Sequence, residues 1–143
     1  MSVIHKEARV PYSAAQMYAL VNDIARYQEF VPWCTKSVID VQTDDVISAT
    51  LTFAAKGIQQ SFSTRNRLVP NIEMKMELIN GPFKYLNGCW RFENHEKNTC
   101  TVTLDLSFEL ASKMLAILFG PVFQQVATNL VDAFVKRASE IYD

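Results

Sequence analysis

Apolar and polar residues alternate along most of the middle of this chain. Ile47, Ala49, Leu51, Phe53 and Ala55 share one side of an extended segment, with Ser48, Thr50, Thr52 and Lys56 opposite. Phe62, Thr64, Asn66 and Leu68 share a face in the next segment. Ile72, Met74, Met76 and Leu78 then alternate with Glu73, Lys75 and Glu77, and Leu86, Gly88, Trp90 and Phe92 form another inner face. The clearest alternation comes last: Cys100, Val102, Leu104, Leu106, Phe108 and Leu110 against Thr101, Thr103, Asp105, Ser107 and Glu109. A period of two predicts strands with one buried and one solvated face, as in an antiparallel meander. Pro70-Asn71 and Asn80-Gly81-Pro82 mark turns between strands. Val3, Ile4 and Val10 predict a further strand over residues 2–10.

Helical signals flank this region. Ser13-Ala14-Ala15-Gln16 is a capping-box pattern, with Tyr12 and Met17 placed as a hydrophobic staple, and predicts a helix to about Val21. Asn22-Asp23 interrupts it, and a short second helix carries Ile24 and Tyr27. Pro32 forces Val31 extended and ends the helical region. Near the end of the chain, Ser112 to Phe119 reads as a short apolar helix, separated by Gly120-Pro121 from a long one. The long helix carries Phe123, Ala127, Leu130, Phe134, Ala138 and Ile141 on one stripe, flanked by Val126 and Ala133, with Gln125, Asn129, Asp132, Lys136 and Glu140 opposite.

The 143 residues, 49% hydrophobic and 20% charged, suit one globular domain spanning residues 1–143. A net charge of −1 gives no global field for DNA or for an anionic surface, although local patches are compatible with it. The odd set Cys34, Cys89 and Cys100 contains no CxxC pair, which argues against a disulfide framework or a metal site and for a reducing compartment. Met1 to Glu7 resembles neither a signal peptide nor a transit peptide, and Met114 to Phe119 is too short to span a bilayer, so the expected location is cytoplasmic.

The expected architecture is α+β, with a curved antiparallel sheet of about six to seven strands wrapped around the long terminal helix and two short helices after the first strand. A wide sheet must curl, and a helix of about 20 residues, roughly 30 Å long, covers only a strip of it. Small or polar inner residues (Ala49, Ala55, Gly88, Thr64, Asn66) leave space that is either an apolar pocket or filled by the larger side chains.

Three motifs sharpen this picture. Tyr27-x-x-Phe30-Val31-Pro32-Trp33-Cys34 is the first. Gly81-Pro82-Phe83-Lys84-Tyr85-Leu86-x-Gly88-x-Trp90-x-Phe92 is the second, and Phe119-Gly120-Pro121-Val122-Phe123 with Asp132-Ala133-Phe134 the third. Together they resemble the coenzyme Q-binding/RatA family of the helix-grip, or START-like, superfamily, across essentially the whole chain. That resemblance implies two functions: non-enzymatic binding of ubiquinone or another polyprenyl lipid in support of respiration, and a ribosome-association toxin acting on the large subunit. It also raises transient contact with a membrane, placing the protein at the inner membrane surface at times.

The candidate ligand contacts follow from the inner faces. The sheet offers Phe53, Phe62, Thr64, Asn66, Met74, Met76, Leu86, Trp90, Phe92 and Phe108, and the helix side offers Phe119, Phe123, Val126, Leu130 and Phe134. Phe30, Val31 and Trp33 stand at one end, either as a gate or as a rigid packed corner. Thr64 and Asn66 need hydrogen-bond partners if buried; a quinone carbonyl, water or the backbone can serve. Arg65, Arg67, Lys75 and Arg91 project from the outer face, as an RNA-contacting patch or as a solvated face mixed with Glu73, Glu77 and Glu93. His5 and His95 lack acidic or serine neighbours in any catalytic spacing, and no HExxH, GxSxG or phosphate-binding loop is present, so neither catalytic nor metal-ligating residues are expected.

Overall fold

The computed structural model describes residues 2–143. β1 (Ser2–Val10) leads through α1 (Ala14–Asn22), a 3₁₀ turn (Ile24–Arg26) and α2 (Tyr27–Phe30) into six consecutive strands. These are β2 (Cys34–Gln42), β3 (Val46–Ala55), β4 (Ile58–Val69), β5 (Glu73–Asn80), β6 (Phe83–Asn94) and β7 (Cys100–Leu110). α3 (Lys113–Leu118) and α4 (Gly120–Tyr142) follow. The seven strands form one antiparallel sheet in the order β1-β7-β6-β5-β4-β3-β2. The fold is the expected α+β helix-grip arrangement.

Local chemistry explains the elements. Ser13 Oγ accepts from the Gln16 amide at 3.1 Å while the Gln16 side chain accepts from the Ser13 amide at 2.8 Å, so the capping box forms as the sequence predicts. Lys56 and Gly57 both have positive φ in the two-residue β3–β4 turn, whose hand matches the twist of the flanking strands. Register shifts in β2–β3, β4–β5 and β6–β7 bend the sheet.

The concave face holds the core, and α4 lies across it. Phe123 is the hub: its ring meets Phe53, Phe62, Phe83, Phe108 and Phe119 within 6.4 Å, in mostly edge-on geometry. A second cluster joins Phe134 to Tyr27, Phe30 and Trp90. α4 packs closest to β1 and β7 and stands off from β3 to β6.

Four local expectations change. The edge strand β2 was not marked by any alternating run, because register shifts at Cys34/Lys36 and Ile39/Val41 break its period. Ile72 is an exposed turn residue and not part of an inner face, since β5 begins at Glu73. On α4, Val131 is buried and Ile141 is exposed, so the stripe runs through Phe123, Ala127, Val131, Phe134 and Ala138. α3 forms where expected, but it buries none of its six residues.

Candidate functional site

Where α4 stands off from the sheet, a cavity remains. β3 contributes Ala49, Leu51 and Phe53, β4 contributes Phe62, Thr64 and Asn66, and Met76, Leu86, Trp90 and Leu106 extend the wall across β5 to β7. α4 supplies Phe123, Val126, Ala127 and Leu130, and the short helical segment closes the end with Ile24, Tyr27 and Val31. About 70 Å³ is open to the centres of water-sized atoms. That holds a few waters; a benzene ring needs an apolar cavity of about 150 Å³. The core is thus mostly filled, with a residual space that a larger guest must widen. Leu51, Met76 and Leu130 are the lining residues that remain partly exposed, and all three are flexible enough to give way.

Eleven sequence candidates line this space: Val31, Phe53, Phe62, Thr64, Asn66, Met76, Leu86, Trp90, Phe123, Val126 and Leu130. Seven stand elsewhere. Phe108 and Phe119 belong to the Phe123 cluster, and Phe30 and Phe134 to the second cluster. Met74 is fully buried in the core, and Phe92 lies parallel to Trp90 and edge-on to Tyr18. Trp33 occupies a turn with φ +63° and packs half-buried on the core edge. Ile24, Tyr27, Ala49, Leu51, Leu106 and Ala127 line it too and were not among the candidates. Leu51 and Leu106 carried the signal, since both sit on predicted inner faces, whereas nothing in the sequence aims Ile24 at the sheet.

Gly88 does not leave room for a guest. A side-chain carbon added there would lie 2.5 Å from the Met76 methyl and 3.0 Å from Leu106, so those two residues already occupy its space.

The polar groups of the wall are few. Thr64 Oγ1 donates to Asn66 Oδ1 at 3.0 Å, and both residues are buried, Asn66 at 3% exposure. The two partner each other, where water or backbone was also in prospect. Thr64 satisfies one end of the Asn66 amide. Its other end makes no hydrogen bond among the described residues, and Asn66 is one of the residues that line the cavity. Tyr27 donates its hydroxyl to the Val21 carbonyl, and burial raises its phenol far above the usual range. The wall thus offers an amide, a hydroxyl and a phenol, and no carboxylate, imidazole, thiol or amine.

The charged candidates lie on the opposite side of the sheet. Arg65 and Arg67 both approach Glu77, at 3.5 and 3.6 Å. Lys75 pairs with Glu73 at 3.5 Å and Arg91 with Asp105 at 2.9 Å. His5 bonds to Asp105 on this face, and His95 bonds to Thr101. Among the described residues no group of three or more His, Cys, Asp or Glu is placed to hold a metal ion. No helix there is long and apolar enough to cross a membrane.

Comparison with known proteins agrees with this geometry. Residues 10–135 match the family model "Polyketide cyclase / dehydrase and lipid transport". The ribosome association toxin RatA of Pseudomonas aeruginosa is 42% identical over 97% of this chain and 96% of its own. The mitochondrial coenzyme Q-binding protein COQ10 homolog B of Xenopus laevis is 30% identical over 92% of this chain and 55% of its own. Among solved structures, an 18 kDa protein of Caulobacter crescentus superposes with a TM-score of 0.75 at 28% identity, covering 99% of both chains. The Zhui aromatase/cyclase of Streptomyces superposes at 0.78 with 14% identity, over 96% of this chain and 93% of its own, which shows a shared fold. The fold, the cavity under its helix and the matched length place the chain in the polyketide cyclase/dehydrase and lipid transport family, on the branch that holds the RatA and coenzyme Q-binding proteins.

Proposed function

We propose that this chain binds a hydrophobic molecule with a carbonyl head group, of the polyprenyl quinone class to which ubiquinone belongs, and carries it unchanged in support of respiratory electron transport. The observation that carries this reading is Asn66, a buried amide with a free end on an otherwise apolar wall. A guest's carbonyl can accept a hydrogen bond from that end, which adds the net worth of one such bond and fixes the head group's orientation. The lipid transport named in the family and the quinone binding named for the Xenopus relative support the same reading. The guest is held without a covalent bond, and the protein works in the cytoplasm with transient contact at the inner membrane.

The energetics set how much tail must be buried. A methylene-sized group contributes roughly 0.8 kcal/mol on burial, so two prenyl units of about five carbons each supply about 8 kcal/mol. An association cost of about 4 kcal/mol or more leaves roughly millimolar binding, and a tighter complex needs a longer buried tail together with the head-group hydrogen bond. Mass spectrometry of an organic extract of the purified protein tests the class directly. A quinone or prenyl lipid is expected. Affinity should rise with tail length and then level off once the widened cavity is full, and a flat series would remove the reading.

A second reading is favoured by one observation, the 42% identity to RatA over nearly the whole of both chains. Under it the chain joins the large ribosomal subunit and blocks subunit association, with Arg65, Arg67, Lys75 and Arg91 as RNA contacts. Co-sedimentation with isolated large subunits should then weaken steeply with salt, through counterion release. Charge reversal at Arg65 and Arg67 should weaken it further. No co-sedimentation at low salt removes this reading. The aromatase fold likeness raises catalysis as an alternative, and unchanged quinone after long incubation is the expected result.

A further inference from the structure

We propose that the end of the molecule carrying α3 docks on an anionic lipid bilayer. α3 is an apolar helix with no core to join: Met114 and Ile117 are about 70% exposed and Leu118 about half exposed. Ile117, Met114 and Val3 are the most exposed large apolar side chains among the described residues. All three lie at one end. The register pairs Ser2 with Phe108 and Phe83 with Leu110, so β1 begins where β7 ends and α3 starts. The last turnward residues of β5, at the same end, add exposed Ile79. Isolated exposed apolar residues are ordinary on a protein surface; a helix that presents three of them together marks an interaction face.

Charge identifies the occupant. Lys113 opens α3, and Lys56 tips the β3–β4 turn at the same end of the sheet; both are exposed and neither forms an ion pair among the described residues. Glu109, the nearby carboxylate, already faces Lys84 at 3.4 Å. Apolar side chains flanked by free lysines match a bilayer, where the former enter the acyl boundary and the latter meet anionic headgroups. α3 also joins directly to α4, whose Phe123, Val126, Ala127 and Leu130 line the cavity, so docking sets the site beside a lipid supply. This inference deepens the carrier reading and rests on it for its purpose, but not for its test.

The test is flotation of the full chain with vesicles of phosphatidylcholine alone and with about a third phosphatidylglycerol. The protein should float with the anionic vesicles and far less with the neutral ones, and added salt should release it. Ile117→Glu and Met114→Glu should each abolish flotation. Lys56→Gln and Lys113→Gln should each weaken it roughly fivefold, the worth of one lysine near such a surface. These positions are exposed, so melting curves should not move. Binding of two-unit ubiquinone in vesicle-free buffer should match the parent. Wild-type protein that never floats, or Ile117→Glu protein that floats as well as the parent, overturns the inference. So does a dimer, or a ribosomal complex, that Ile117→Glu disrupts while flotation is untouched. Protein that floats but binds no quinone overturns the carrier reading alone.

Discussion

Asn66 and Thr64 stand two residues apart on β4, facing inward, and their mutual hydrogen bond leaves one amide end toward the cavity. Asn66→Leu removes that end while keeping the volume. Paired with Thr64→Val, so that no hydroxyl is stranded, it should leave stability nearly unchanged. Quinone affinity should fall roughly threefold to tenfold, the worth of one hydrogen bond. Binding of a prenyl hydrocarbon of equal length, with no carbonyl, should not fall. Titration calorimetry on the two guests separates these outcomes. Equal losses for both would mean that the amide only shapes the wall.

On the outer face, His5 Nδ1 lies 2.5 Å from Asp105. That hydrogen bond, and then the Asp105 charge, raise the His5 pKa above its ordinary value, and the same bond lowers that of Asp105. The His5 contribution is present below its unfolded pKa and lost as pH rises through the raised folded value. The Asp105 contribution is present above its unfolded pKa and lost as pH falls through the depressed one. Together they stabilise most between about pH 4 and 6. The pair is exposed, so the effect is small. The melting temperature of His5→Asn should therefore fall below the parent's at pH 5.5 and coincide with it well above neutrality. A gap of the same size at both pH values would contradict the linkage.

At the scale of elements, the Val31–Cys34 turn and the β5–β6 pair make the clearest cases. The Cys34 amide donates to the Val31 carbonyl at 3.1 Å, Pro32 takes the first corner and Trp33 the second, with φ +63°. That corner favours glycine, and a side chain there costs about 1–2 kcal/mol. Trp33→Ala keeps the strain and loses the packing, whereas Trp33→Gly loses both. Glycine should thus be the more stable variant by about 1 kcal/mol, reversing the usual order of the two. Chemical denaturation reads this directly, and an alanine variant more stable than glycine would rule the strain out. In the β5–β6 pair, Gly88→Ala must push the Met76 methyl aside, and Met76 borders the cavity. Quinone affinity should drop by roughly fourfold, about one methylene of contact.

These elements also show what a sequence reader can and cannot see. Strands β3 to β7 were legible because one apolar face writes itself as a period of two, and the Ser13 cap because its chemistry is local. β2 was hidden by its bulges. Val131 was hidden because Leu130 beside it fits the same stripe nearly as well, and only the rotation of α4 on the sheet decides between them. Gly88 read as empty space because its occupants, Met76 and Leu106, come from neighbouring strands.

For the whole molecule, the position of the cavity is a matter of tertiary offset. α4 lies near β1 and β7, so the inner faces of β3 to β6 are left partly uncovered. Inner-face periodicity identified Phe53, Phe62, Asn66 and Trp90 as wall, but the same reading also offered Phe108 and Phe134, which belong to the aromatic clusters, and Met74, which is fully buried away from the cavity. No pattern along the chain distinguishes a side chain that faces α4 from one that faces the gap beside it. The small residual volume means that binding must displace Leu51, Met76 or Leu130, so the unliganded protein should be tighter than the loaded one. Titration of isotope-labelled protein with two-unit ubiquinone, followed by nuclear magnetic resonance, tests this most directly. The Asn66 side-chain amide and the methyl groups of Leu51, Met76 and Leu130 should shift together and saturate at one equivalent, while Arg65 and Arg91 on the outer face stay still. Shifts confined to the outer face or to α3, with the Asn66 amide unmoved, would contradict the account.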